Sequence, residues 1–239
     1  MASNRPHPHS LGYTQFESAP GFLPCLVSLL GYPDIPFHIR QSAAVRVKLL
    51  CRMYWAGPRS KHLNDQDRAA VRSSMVQLLC SQHEELIRVQ LAECFFVIAR
   101  NDFPAQWPTA LDEAVHALTN APNPQSLYGA LLAYNQLCKV YRTALNDKDA
   151  VVLEEICNKG MSIVLNLLQE TTKQKTPEAY AFAHLAIKTV NYCLYIRVPA
   201  FFKPIATMDS LMQMLLSIAA AEIPAELVHT LYEQRQLKM

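Results

Sequence analysis

Glycine is scarce: six residues in 239. That leaves no material for a Gly-rich phosphate cradle, and G-x-x-x-x-G-K, G-x-S-x-G, H-E-x-x-H and Asp-rich metal loops are all missing. Nucleotide-hydrolysing, serine-nucleophile and zinc-hydrolase chemistries therefore have no starting residues, and neither a catalytic group nor a metal or cofactor is expected. Seven cysteines, an odd number, include no C-x-x-C pair, which argues against a zinc site or a disulfide framework and for a reducing compartment, cytosol or nucleus. Charge is also thin, 18% of residues with a net +2, against a usual quarter or so. Nucleic acid, which wants a concentrated basic footprint, is not an expected partner. No apolar run reaches the ~18 residues of a membrane span, and the first residues, MASNRPHPHSLGY, lack the apolar core of a secretory signal.

What is abundant is apolar surface, 51% of residues, punctuated by 15 prolines. Prolines between helical periods, with few glycines, suit helices joined by short stiff turns. The clearest helix starts near Glu85, where Ile87, Leu91, Phe95, Ile98 and Ala99 fall on one face of a 3.6-residue period. Glu93 and Arg100 fall opposite. The helix stops at Phe103-Pro104, and Phe103 and Trp107 bring two large rings to the turn. The same helix is written upstream: Ile39-Arg40 matches Ile87-Arg88 at a shift of 48 (87 minus 39). At that shift Ala43 overlies Leu91, Val47 overlies Phe95, Leu50 overlies Ile98, and Tyr54-Trp55 precedes Pro58 as Phe103 precedes Pro104. An all-helical repeat of this length, close to the 40–47 or so residues of HEAT and armadillo units, predicts an all-α fold: an α-solenoid, or superhelix, of HEAT-type helical hairpins.

Along the chain, residues 1–14 read as a flexible tail. Helices are expected over 21–30, 37–55 (Ile39, Ala43, Val47, Leu50 and Tyr54 inward; Gln41, Lys48 and Arg52 outward), 65–80 (Val71, Met75, Leu79 inward, capped by Asn64 or Asp65) and 85–102. Thr109 and Asp112 form a weakened capping box for 109–118, with Leu111, Val115 and Leu118 inward. Ser126 caps a helix to Tyr141 carrying Leu127, Leu131, Tyr134, Leu137 and Cys138, and Asp147 or Asp149 opens one to Glu170 with Val152, Ile156, Ile163 and Leu167 inward. Pro177 suits the first turn of the helix to Ile196, and Asp209 begins the last clear one. Nine or ten helices result, and the chain looks cut short inside a repeat: 15–81 and 82–222 divide the array, and 223–239 start a truncated unit.

Few residues stand apart as site candidates. His83-Glu84-Glu85 reads as a charged helix entrance, and His184 as a core residue of an apolar helix. Arg40 and Arg88 occupy one repeat position, where each guanidinium can pair with a neighbouring carbonyl or carboxylate, or touch a partner. Residues 35–64 hold Arg40, Arg46, Lys48, Arg52, Arg59 and Lys61, a stripe that is either a solvated face or a lure for an acidic partner.

The segments IRQSAAVRVKLLCRMYW and ELIRVQLAECFFVIARNDFPAQWP resemble the N-terminal repeats of importin-beta (karyopherin-beta) transport receptors. Tyr54-Trp55, the I-R-x-Q-L of Ile87 to Leu91 and the D-F-P-x-x-W of Asp102 to Trp107 carry the resemblance; within the family it is strongest to the importin-seven and importin-eight import receptors. It covers Gln15 to Trp107 most specifically and extends in register to about Glu222. The resemblance implies HEAT repeats that bind the small GTPase Ran in its GTP form through inner helices, take up nuclear-pore Phe-Gly repeats between outer helices, and carry import cargo on an arch longer than this chain. It implies a place in nucleus, cytoplasm and nuclear envelope, and the missing catalytic motifs make an enzyme unexpected. The inner helices would be 21–30, 65–80 and 109–118, so Arg68, Arg72, Gln77, Asp112, Glu113 and His116 become candidate Ran contacts by expected exposure, with Arg40, Arg88, Trp55, Phe103 and Trp107 as structural repeat positions. A Pro/His-rich stretch stands where the family has the outer helix of its first repeat. The competing function is a HEAT-type scaffold that holds a protein partner without a GTPase.

Overall fold

A computed structural model describes residues 17, 19–58 and 63–221; the expected tail, Arg59, Lys61 and the pattern after Pro224 lie outside them. Among the described residues the chain is helical throughout, with nine α-helices and no strand. We label them α1 (Phe22–Leu29), α2 (Phe37–Tyr54), α3 (Asp65–Ser81), α4 (Glu85–Asp102), α5 (Ala110–Thr119), α6 (Pro124–Tyr141), α7 (Asp147–Thr171), α8 (Pro177–Cys193) and α9 (Ile205–Ala220). A 3-10 turn, Ala200–Phe202, precedes α9. The chain divides into two compact units, Met1–Val140 and Tyr141–Met239.

In the first unit successive hairpins stack so that α2 packs on α4, and α1 and α5 each pack on α3. Polar bonds set the register. Near the start of α2, Arg40 donates to Gln82 Oε1 just before α4, at 3.2 Å; near its end, Arg52 meets Glu93 at 3.3 Å. The two helices therefore run in the same direction, as the internal repeat requires. Glu93 also takes Lys139 of α6 at 3.2 Å. It is no purely solvated residue: one carboxylate ties three neighbouring helices. The core is the periodic set, with Val47, Leu50, Cys51, Val71, Met75, Leu79, Ile87, Leu91, Phe95, Ile98 and Ala99 fully buried. Phe95 and Trp107 meet with centroids 5.1 Å apart, and Trp55 and Phe103 are buried at the equivalent turns. The Phe103-Pro104 peptide is cis.

In the second unit α7 packs on α8, and the 3-10 turn and α9 pack on α7. Glu154 of α7 accepts the Ala200 amide with both oxygens, at 3.0 and 2.8 Å. An analogous bond serves the first unit, where both oxygens of Asp67 accept the Gly21 amide at 3.1 and 3.0 Å.

Several expectations are corrected. Ile39 is 45% exposed whereas Ile87 is fully buried; α4 meets α2 on one flank and α6 on the other, where Tyr128 lies against Arg88 beside Ile87. Tyr54 is half-buried. In α7 the inward residues are Leu153, Ile156, Cys157, Met161, Val164 and Leu168; Val152, Ile163 and Leu167 are half-buried. His184 faces outward. Of the caps, Asn64 is as expected and takes the Asp67 amide at 2.7 Å; the others differ, and Asn146, not Asp147 or Asp149, takes the Asp149 amide at 2.8 Å. Asn123 rather than Ser126 opens α6, accepting the Ser126 amide at 2.8 Å. Thr109 makes no cap; its hydroxyl donates to Glu113 at 2.5 Å. The last helix begins at Ile205, four residues before Asp209.

Candidate partner-binding face

The side-by-side helices α1, α3 and α5 carry the six candidate contacts on α3 and α5. Asp65 and Asp67 in the first turn of α3, with the Asn64 cap, favour the helix dipole. Because Val71, Met75 and Leu79 turn inward, Gln77 turns out, and it is exposed along with Ala69, Ala70 and Ser73. On α5, Leu111, Ala114 and Leu118 are buried, which puts Asp112 and His116 in solvent and leaves Glu113 half-buried. Gln77 on α3 and Asp112 and His116 on α5, two helices in contact, are thus the exposed candidates.

The two arginines do not join them, contrary to their expected exposure. Arg68 is buried: its guanidinium lies 5.2 Å from the centre of the Trp55 ring and donates to the carbonyls of Trp55 and, at 3.1 Å, of Tyr54. Arg72 donates to Asp102 at 2.7 Å, with only 16% of its side chain exposed. The cause is local. The last carbonyls of α2 have no partner inside their own helix, and Asp102 at the end of α4 is buried, so each terminus recruits a cation from α3. An open cleft of about 630 Å3 lies here, lined by Trp55, Asn64, Asp65, Arg68, Asn101 and Asp102 among others. Its buried charged groups already have protein partners: Arg68 donates to the two carbonyls, and Asp102 accepts from Arg72.

Arg40 and Arg88 occupy one structural role. Arg40 Nε donates to the Ile35 carbonyl at 3.0 Å, and Arg88 Nε to the Gln82 carbonyl at 3.0 Å, each closing the turn that leads into its own helix. Arg40 also reaches Glu84 at 3.7 Å, and the Arg88 guanidinium lies 5.2 Å from the centre of the Tyr128 ring. Of the four described residues of the basic stripe, three are in internal pairs: Arg40 as above, Arg46 on Glu17 and Arg52 on Glu93. Gln82 was not singled out by any pattern, yet it is a hub. Its amide donates to the Leu30 carbonyl at 2.8 Å while its own carbonyl and Oε1 take Arg88 and Arg40. Sequence offers no signal for it beyond its place between two helices.

The row of α2 and α4 exposes apolar side chains: Val45 of α2 and Leu86 and Val89 of α4 are 37%, 51% and 47% exposed, and the pairs of Arg40 and Arg52 set these helices side by side in parallel. Lys139 lies 4.3 Å from the centre of the Phe96 ring and so covers the junction of α4 with α6.

Among the described residues, each thiol and phenol with a resolved shift is raised. Burial pushes the Cys80 thiol up to about 11 against the opposing pull of Arg88. A hydrogen bond with Cys51, and then burial, raises Cys94; a hydrogen bond with Cys193, and then burial, raises Cys157. Burial with a contribution from Asp149 lifts Tyr141 to about 12. A thiol held protonated is a poor nucleophile. Among the described residues no cluster of His, Cys, Asp or Glu could hold a metal ion, and no helix is long and apolar enough to cross a membrane.

Stacked hairpins with polar candidates exposed on one row of helices and apolar side chains on the other define a HEAT-type α-solenoid, a class built to bind proteins. Family comparison agrees. Residues 14–81 match the Importin-beta N-terminal domain, and residues 84–224 match the Exportin 1-like protein family. Importin-8 of Mus musculus is 28% identical over 217 residues, covering 86% of this chain and 21% of the relative. The Importin beta-like SAD2 homolog of Arabidopsis thaliana is 25% identical over 221 residues, covering 89% and 20%. Among solved structures, the exportin Cse1 in its cargo-free, cytoplasmic state superposes with a TM-score of 0.79 at 20% identity, over 90% of this chain and 24% of that one. The chain belongs to the importin-beta (karyopherin-beta) family of nuclear transport receptors, and spans about a fifth of the length of the curated relatives it matches.

Proposed function

We propose that this chain forms the Ran-binding N-terminal part of a nuclear import receptor. The observation that carries the reading is the Importin-beta N-terminal match over residues 14–81, which includes α1 and α3, followed in the same unit by α5. On this reading GTP-bound Ran docks against the face bearing Gln77, Asp112 and His116, with Glu113 at its margin. Arg68 and Arg72 contribute by holding α3 to the ends of α2 and α4 rather than by touching Ran. The row exposing Val45, Leu86 and Val89 would take up Phe-Gly repeats of nuclear-pore proteins, whose phenyl rings need an apolar seat of that kind. Import cargo would be carried only by a form with more repeats. The chain would work in the nucleus and cytoplasm and at the nuclear envelope.

The test is retention of purified Ran on the immobilised chain. Retention of the GTP form in clear excess over the GDP form supports the reading; equal retention of both, or of neither, overturns it. The alternative, a HEAT scaffold recruiting an acidic partner through its basic stripe, loses its motive where Arg40, Arg46 and Arg52 are paired internally.

A further inference from the structure

Of the 15 prolines only Pro177 follows a serine or threonine, so the chain holds a single Thr-Pro step. It lies in the connection between α7 and α8, where residues 172–178 are all exposed. Thr176 is the N-cap of α8, in extended backbone with φ −111° and ψ 153°. Its hydroxyl oxygen accepts the Ala179 amide at 3.2 Å and, among the described residues, makes no other hydrogen bond. The neighbouring threonines differ: Thr171 and Thr172 donate their hydroxyls back to the Leu168 and Gln169 carbonyls at 2.9 and 2.7 Å. Lys175 stands next to Thr176, and Lys173 pairs with Glu170 at 2.7 Å.

We propose that Thr176 is a phosphoacceptor for proline-directed Ser/Thr protein kinases, independently of whether Ran binds. A kinase site that leaves the backbone N–H after the acceptor without a partner disfavours every residue except proline, which has none. Such a site also needs an accessible hydroxyl on extended backbone, which Thr176 presents, and the first turn of a helix frays easily enough to enter it. In the transfer, the γ-phosphorus of ATP parts from the bridging oxygen, which leaves with the electron pair as ADP. A bond forms from Thr176 Oγ1 to phosphorus, and the hydroxyl proton passes to the kinase's carboxylate base. The ester keeps an acceptor facing the Ala179 amide, now charge-assisted, at the positive end of the α8 dipole and beside Lys175.

The full chain, a purified proline-directed kinase and ATP are sufficient for the test, read by site-resolved mass spectrometry. The proposal predicts one phosphoryl group per chain, on Thr176, and none on Thr176→Val with its helical circular dichroism intact. In Pro177→Ala the initial rate should fall about tenfold or more, the cost of one unpaired N–H. In the phosphorylated chain the Ala179 amide should exchange more slowly. Incorporation elsewhere, absence of incorporation whether or not an isolated peptide of residues 170–180 is modified, or an undiminished rate in Pro177→Ala would overturn the site. Faster exchange at Ala179 would overturn its action as a cap.

Discussion

Gly129 in α6 provides a test in which the sign alone is informative. In an ordinary helix interior, replacing glycine by alanine stabilises by about 1 kcal/mol. Here a Cβ would stand 2.6 Å from the Leu79 carbonyl carbon and 2.7 Å from Cys80 Cα, and closer still to the Leu79 oxygen. Carbon pairs rest at roughly 3.5–4.0 Å, so α6 would have to withdraw from the end of α3 by about 1 Å. The atoms in the way are backbone, which no rotamer change can clear. Overpacking costs about 1–3 kcal/mol, and against backbone that cannot rotate away the upper part of that range, about 2–3, applies, which exceeds the propensity gain of about 1. Gly129→Ala should therefore lose about 1–2 kcal/mol, read as a lower urea midpoint at unchanged slope. A variant as stable as the parent, or more so, would show that α6 does not seat against α3 in this way.

Other consequences follow from the same bonds. Arg68→Met strips donors from the buried carbonyls of Tyr54 and Trp55 and should cost about 1–3 kcal/mol in urea unfolding; a change under 0.5 or so would place Arg68 in solvent instead. Glu93→Gln weakens both cationic ties across α2, α4 and α6, so the parent should lose stability with added salt more steeply than the variant; equal slopes would refute the ties. Cys80 and Tyr141 titrate higher when folded, near 11 and 12 against ordinary values of 9.0 and 10.0. Their contribution is complete below pH 9 or so and lost as pH rises through 11 and 12. A Cys80→Ala variant should show a shallower fall between pH 9 and 11, and an identical fall would contradict the burial of that thiol.

Much of this fold is legible in the sequence where one face of a helix is apolar and the other is not. In α4 the period picks out Ile87, Leu91, Phe95 and Ile98 unambiguously, and all four are buried. In α7 it does not, because Val151, Val152, Leu153, Ile156, Cys157, Met161, Ile163, Val164 and Leu167 cover more than half the circumference. The pattern then tolerates a rotation that only the packing of α8 resolves. Ile39 differs for another reason: matched positions of a repeat share a place on the helix but not the same neighbours, and Ile87 lies in a helix that meets α6 as well as α2. The candidate face was half legible. Short side chains such as Asp112 follow the helix angle, whereas Arg68 and Arg72 are long enough to leave it for a carbonyl or a carboxylate on another element. Gln82 and Asp102 act through contacts tens of residues away, and spacing holds no trace of them.

The central claim concerns which face of the hairpins meets GTP-bound Ran, and amide exchange with and without that protein addresses it directly. The account predicts slowed exchange in α3 and α5, around Gln77, Asp112 and His116, with α7 unchanged. Protection confined to α2 and α4 near Val45, Leu86 and Val89, or no protection at saturating Ran-GTP, would contradict it.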